Sequence, residues 1–109
     1  GIPALCINPD LQIYSEAGRA FGPGQLARDY AGLGGDVTLL GKPGEEMFRA
    51  GLALLGNPRP AQTLMIGDSP EHDIAGAQKV GVTSLLIKGG VQASANGPVA
   101  DYAMERLRF

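Results

Sequence analysis

Leu64-Met65-Ile66-Gly67-Asp68-Ser69-Pro70-Glu71-His72-Asp73-Ile74-Ala75-Gly76-Ala77 decides the fold, reading as a strand, an acidic turn and the start of a helix. The run Thr63 to Ile66 lacks polar alternation, which predicts a strand buried on both faces of a parallel sheet covered by helices. Gly67 allows a sharp turn, so Asp68 stands at the carboxyl end of the strand, where open α/β sheets place ligands. Asp73, just before Ile74, is placed to cap a helix with its carboxylate or to share a divalent cation with Asp68. Gln78-Lys79-Val80-Gly81-Val82 leads to a second apolar run, Thr83 to Ile87.

A Gly-Asp with a second acid nearby is also what an ordinary turn and helix cap look like. A separate charged group distinguishes the two readings. Gly41-Lys42-Pro43 closes another apolar run, Val37-Thr38-Leu39-Leu40, and opens a helix. Pro43 keeps Lys42 out of helical dihedrals and suits the first helical position, which puts Lys42 near the positive end of that helix. A structural lysine gains more at the opposite end, whereas an ammonium here is placed to reach an anion. Without the acids downstream, Lys42 would read as a solvated loop residue.

Together these pieces resemble the haloacid dehalogenase (HAD) superfamily of phosphotransferases. Gly41-Lys42-Pro43 matches its third motif and Gly67-Asp68 with Asp73 its fourth, in the family's order, and the resemblance continues through Lys88-Gly89-Gly90. Ala4-Leu5-Cys6-Ile7-Asn8-Pro9-Asp10 is similar to the end of the α/β cap of the class II branch, which includes 4-nitrophenyl phosphate phosphatases. In that branch an Asn-Pro-Asp leads into a loop facing the active site. The resemblance thus implies substrate-facing roles for Asn8, Asp10, Gln12 and Tyr14, with Leu11 to Phe21 as the loop. Asn-Pro-Asp is equally a turn signal by its own chemistry.

The implied architecture is α/β: the back half of a HAD-like, Rossmann-type three-layer core with a parallel sheet, joined to the tail end of a cap. Residues 1–36 would be cap and 37–109 core. The implied chemistry is Mg2+-dependent hydrolysis of a small-molecule phosphate ester through an aspartyl-phosphate. Lys42 and Asp68 would be catalytic, Asp68 and Asp73 would hold the metal, and Gly67 and Ser69 would support them. The family's first motif is an Asp-x-Asp carrying the nucleophile and the general acid and base. The aspartates here are Asp10, Asp29, Asp36, Asp68, Asp73 and Asp101, and none forms such a pair. The chain begins with Gly rather than Met. The expectation is therefore a carboxyl-terminal part of a longer phosphatase, inactive alone and partnered by an amino-terminal half.

Other features fit that frame. Pro23 to Leu33 predicts a helix stopped by Gly34-Gly35. Glu45 and Glu46 suit the first turn of the helix after Lys42, whose apolar face is Met47, Phe48, Ala50, Leu52, Leu54 and Leu55, with Gly56 as its stop. Val37 to Leu40, Thr63 to Ile66 and Thr83 to Ile87 are expected to share one parallel sheet. Ser94-Ala95-Asn96-Gly97-Pro98 reads as a loop, Ala100 to Met104 as a last strand and Glu105 to Phe109 as a frayed end. Half a sheet leaves an open edge, so marginal stability or self-association into a homo-oligomer is expected unless the edge is covered.

The formal net charge of −2 and the absence of a Lys or Arg cluster give no footprint for nucleic acid. No apolar stretch approaches the length of a membrane span. Cys6 is the single cysteine, which excludes an internal disulfide, fits a reducing cytoplasmic compartment, and reads as a core thiol between Leu5 and Ile7. His72 lies in the acidic loop, but proton transfer in the resembling family belongs to the absent Asp-x-Asp. Ser69 is placed to bond Asp68 or a metal-bound water. Two other classes are weighed: a degenerate HAD module with a structural or interaction role, and a phosphate-binding domain of Rossmann or receiver type. The second expects a glycine-rich turn after the first strand or an acid pair near the amino terminus; neither is present.

Overall fold

The computed structural model describes residues 1–89 and 96–108. Gly90, Ser94, Ala95 and Phe109, which figure in the expectations above, lie outside the described residues. The chain forms two compact units, Gly1–Gly41 and Lys42–Phe109.

In the first unit, β1 (Ala4–Cys6) and β4 (Val37–Leu39) pair in parallel, with Leu5 opposite Thr38. Helix α1 (Pro23–Gly32) crosses between them, started by Pro23 and ended where Gly34 takes a φ of 85°. Its Ala27 and the Cys6 thiol are buried, and the Tyr30 hydroxyl donates to the Ile2 carbonyl at 2.7 Å. Between β1 and α1, β2 (Gln12–Ser15) and β3 (Gly18–Phe21) form an antiparallel hairpin. Leu11 to Phe21 is thus not the loop read from the sequence. Tight pairing of Gln12 with Phe21 and Tyr14 with Arg19 orders it.

The expected common sheet for three strands is also corrected. Val37–Leu39 is hydrogen-bonded to β1, because β1, α1 and β4 make their own βαβ unit. The first compact unit runs to Gly41 and so includes β4.

The second unit carries a three-stranded parallel sheet in the order β5 (Leu64–Gly67), β6 (Thr83–Ile87), β7 (Tyr102–Met104). Helix α2 (Glu45–Leu54) precedes β5, with Gly44 as its N-cap. Pro43 therefore lies before the helix, not at its first position, and the Lys42–Pro43 peptide is cis. Glu45 and Glu46 occupy the first turn as expected, and Glu45 also pairs with Arg49. Gly56 follows the helix with a φ of 83°. Between β5 and β6 lie a single π-helical turn, Pro70–Ile74, and α3 (Ala75–Lys79).

The core of this unit is small. Ala77, Val80 and Val82 are buried, and Phe48, Leu52 and Met65 pack against them. Ile74 is fully buried. Gly76 permits α3 to meet α2, since a Cβ at this position would occupy the Phe48 ring. The strand expected to be buried on both faces is not: Leu64 is 49% and Ile66 44% exposed. Among the described residues no layer covers that face.

Candidate active site

The turn after β5 is built from its own polar groups. Ser69 leaves the strand in an extended conformation and caps the π-helical turn, its Oγ accepting from the His72 backbone N–H at 3.2 Å. The same hydroxyl lies 2.9 Å from His72 Nδ1. The Ser69 carbonyl accepts from the backbone N–H groups of both Asp73 and Ile74. A π-helical turn projects its side chains differently from a regular helix and is often found where a site needs an unusual projection. Here it brings Asp73 back toward the strand end.

Asp73 is 2% exposed and is the hub of this corner. Its Oδ2 accepts from the backbone N–H groups of Asp68 (3.0 Å) and Ser69 (3.1 Å). Its Oδ1 accepts from Lys42 Nζ at 2.5 Å. The cap at this helix start is Ser69, so Asp73 serves the loop and the lysine instead of capping. Gly67 is required by space: a Cβ there would fall on the Asp73 carboxylate. Ile74 and Pro70, both buried, anchor the turn from below.

Lys42 keeps 43% of its side chain exposed while its ammonium meets Asp73, so the cation is held in place yet open to a ligand. Asp68 is half-buried at the carboxyl end of β5. Lys42, Gly67, Asp68, Ser69 and Asp73 thus lie together in one unit. Asp73 is the link among them: one carboxylate oxygen meets the Lys42 ammonium and the other holds the backbone N–H groups of Asp68 and Ser69.

This donor set suits a hard divalent cation. Carboxylate oxygens at a strand end are the ligands Mg2+ takes, with water and phosphate completing its shell. Among the described residues no group of three or more His, Cys, Asp or Glu side chains could hold a metal unaided. Both oxygens of Asp73 already serve protein donors.

Asn8, Asp10, Gln12 and Tyr14 belong to the other unit. Asn8 Oδ1 accepts from the Asp10 backbone N–H at 3.1 Å, and the Asn8 carbonyl accepts from the buried Cys6 thiol. Asn-Pro-Asp is therefore an Asx-type turn that joins β1 to the hairpin. The Asp10 carbonyl accepts from the Gly24 N–H, tying that turn to the start of α1. Gln12 and Tyr14 share a hairpin face with their partners Phe21 and Arg19. The Arg19 guanidinium lies 5.6 Å from the Tyr14 ring centre.

Sequence reasoning missed three features: the Arg19 contact, the Ser69–His72 hydrogen bond, and a polar lock between β6 and β7. In that lock Asp101 Oδ2 accepts from both the backbone N–H and the hydroxyl of the fully buried Ser84, each at 2.8 Å. Those bonds, the backbone N–H first, hold the Asp101 carboxyl below its ordinary pKa. The only advance signal was an aspartate immediately before a short apolar strand.

A parallel strand ending in Gly-Asp, with a lysine locked to a second aspartate, gathers charged groups at the carboxyl end of a parallel sheet, where α/β folds place their sites. The HAD-hydrolase-like family model matches residues 39–107, and the chain belongs to that family. It is 34% identical over 98 residues to a bovine haloacid dehalogenase-like hydrolase domain-containing protein 2, covering 88% of this chain and 37% of that protein. It is 29% identical over 96 residues to the dihydroxyacetone phosphatase of Corynebacterium glutamicum, covering 87% of this chain and 34% of that one. Among solved structures, a thermostable NPPase double mutant from Geobacillus stearothermophilus superposes with a TM-score of 0.83 at 26% identity, over 96% of this chain and 42% of that one. A p-nitrophenyl phosphatase from Archaeoglobus fulgidus gives a TM-score of 0.78 at 26% identity, over 93% and 42%. The chain thus spans roughly two fifths of these proteins, in their carboxyl-terminal part.

Proposed function

We propose that this chain supplies the lysine and metal-binding side of a phosphate monoester hydrolase site, in a protein that works with Mg2+ and an aspartyl-phosphate. The observation that carries this reading is Asp73: one buried carboxylate fixes both the Lys42 ammonium and the two backbone N–H groups flanking the Asp68 turn. Such preorganisation of charge is what phosphoryl transfer asks of a protein, since most of its catalysis is positioning and electrostatics.

Within the proposal each residue has one task. Lys42 neutralises an oxygen of the phosphoryl group and keeps a nearby nucleophilic carboxylate ionised. Asp68 would hold the metal, with Asp73 orienting that ligand through the backbone or binding a coordinated water. The Mg2+ would supply charge neutralisation for the phosphate. Asn8, Asp10, Gln12 and Tyr14 are proposed to contact the leaving group, and residues 1–36 to be the end of a cap. The nucleophile is not among the aspartates of this chain, which has no Asp-x-Asp. The 109-residue chain alone is accordingly proposed to be inactive. No helix among the described residues is long and apolar enough to cross a membrane. With its single cysteine, a reducing cytoplasmic setting is proposed.

The test is turnover of 4-nitrophenyl phosphate by the purified chain with and without Mg2+. No turnover is expected, together with weak Mg2+ binding by calorimetry that Asp68→Ala abolishes. Mg2+-dependent turnover lost in Asp68→Ala would reveal a complete site and overturn the inactivity. Mg2+ binding unchanged in Asp68→Ala would overturn the metal assignment.

A further inference from the structure

The segment Asn96-Gly97-Pro98, read from the sequence as part of a loop, lies against the turn that carries Asp73. A Cβ at position 97 would stand 2.7 Å from Pro70 Cβ, 2.9 Å from the Pro70 carbonyl carbon and 3.0 Å from the Glu71 nitrogen, so the packing there calls for glycine. Pro70 is buried and opens the π-helical turn. Beyond Gly97, the Val99 carbonyl accepts from Gln78 Nε2 at 2.8 Å, which ties the same stretch to α3.

The glycine that this packing demands exposes its neighbour to chemistry. The side-chain amide carbon of an asparagine lies within reach of the next residue's backbone nitrogen, and a side chain on that next residue is what chiefly obstructs the approach. Glycine presents none. Asn96 and Gly97 are both exposed, and among the described residues no hydrogen bond holds the Asn96 side chain or the Gly97 N–H. The chain has three asparagines, and the other two, Asn8 and Asn57, are each followed by a proline, whose nitrogen carries no hydrogen to give up. Asn96 is therefore the asparagine with a competent nucleophile beside it.

We propose that Asn96 is a site of spontaneous covalent modification, converting through a cyclic imide to isoaspartate and aspartate. The Gly97 nitrogen attacks Asn96 Cγ and the new C–N bond closes the ring. The Cγ–Nδ2 bond breaks, and ammonia leaves with the proton from Gly97. Water then opens the ring. Opening at the side-chain carbonyl restores the ordinary backbone with an aspartate, and opening at the main-chain carbonyl routes the backbone through the former side chain as isoaspartate. Both products add a carboxylate beside a turn that already carries Asp68, Glu71 and Asp73. Isoaspartate also adds one carbon to the main chain directly ahead of Gly97, so the fit of Gly97 on Pro70 is lost and the turn loosens. This chemistry rests on the loop contact alone and holds whether or not the protein hydrolyses phosphate.

The experiment ages the purified chain in mildly alkaline buffer, maps the products by peptide mass spectrometry, and separates the modified form by its extra charge for hydrogen exchange. Asn96 is expected to convert mainly to isoaspartate while Asn8 and Asn57 stay intact. Asn96→Gln, which needs a larger ring, is expected to react at least about tenfold more slowly. The isoaspartyl form should exchange the Ser69, Glu71 and His72 amides faster than the fresh chain. Asn96→Asp carries the added charge on a backbone of ordinary length and should exchange them at the fresh chain's rate. An intact Asn96 in the folded chain, under conditions that modify the unfolded chain, would overturn the proposal, since the fold then shields the site. Conversion with unchanged exchange at these amides would overturn the link to the turn, and so would Asn96→Asp exchanging as fast as the isoaspartyl form.

Discussion

The turn after β5 and the hairpin after β1 both carry candidate site residues, and they are built on opposite plans. In the turn, Asp73 is 2% exposed and every one of its oxygens is engaged. In the hairpin, Tyr14 is 63% and Phe21 79% exposed, and the Arg19 guanidinium lies over the Tyr14 ring. The first is a fixed arrangement of charge. The second displays chemistry without fixing it. Preorganised charge is what accelerates a reaction, whereas an exposed face serves recognition. Substitutions in the two regions should therefore differ in kind as well as size.

Asp73→Ala should give the largest effect. It strands the buried Ser69 N–H and the part-buried Asp68 N–H, an unpaired buried group costing about 1–3 kcal/mol, so a loss of about 3 kcal/mol is expected in urea unfolding. Lys42→Ala removes the other partner of the same ion pair, but that side chain is 43% exposed and solvent replaces it. Its cost should stay within about 1 kcal/mol. Equal losses for the two variants would show that the ion pair, not the backbone bonds, holds the turn.

Two glycines sharpen the comparison. Gly67→Ala drives a methyl into the Asp73 carboxylate, and the overpacking should cost about 1–3 kcal/mol. Gly18 in the hairpin has open space around it but a φ of 105°, so Gly18→Ala is a matter of backbone strain and should cost about 1 kcal/mol. The difference lies in the neighbour. Asp73→Ala combined with Gly67→Ala should lose less than the sum of the two, while Gly18→Ala adds independently of both. Full additivity at positions 67 and 73 would remove the steric explanation.

Acid supplies a third probe. Asp101 has its pKa lowered by the two Ser84 bonds, so its contribution to stability is present above the ordinary carboxylate value of 3.8 and is lost as pH falls through the lower folded value. Asp101→Asn should be less stable at neutral pH, and its unfolding curve should converge on that of the unaltered chain once the pH has fallen through the lowered folded value. A constant gap down to low pH would assign the effect to packing of β7 rather than to the charge.

How much of this was legible follows from where each signal resides. The elements of the second unit announce themselves locally: an apolar run, a glycine, an acid, and a lysine before proline each reflect a local backbone preference. The approach of Lys42 to Asp73 was readable because the family order tied two local motifs together. Pairing was not. Val37–Leu39 has the same apolar run as a core strand, and only tertiary contact assigns it to β1. Leu11 to Phe21 reads as a loop through the resemblance alone, and Glu16-Ala17-Gly18 lacks the Asn-Gly signal that would mark a hairpin turn. The hydrogen bonds that Asp73 makes were hidden for a related reason. A regular helix would have made it a cap, and nothing in Pro70-Glu71-His72 marks a π-helical turn.

The smallest effect belongs to the hairpin face and decides whether that face has any order of its own. Tyr14 and Arg19 sit directly opposite each other, and the guanidinium lies 5.6 Å from the ring centre. At an exposed site a cation–π contact contributes about 0.5–1 kcal/mol, and the cross-strand position adds no burial to strengthen it. A double-mutant cycle of Tyr14→Ala and Arg19→Ala should return a coupling near the lower end of that range, about 0.5 kcal/mol. The coupling should survive moderate salt, because the ring carries no net charge to be screened. Zero coupling would leave Arg19 a solvated side chain and Tyr14 a freely rotating ring. A coupling of about 2 kcal/mol would mean the pair is desolvated, and the contrast between a prepared turn and an open hairpin would fail.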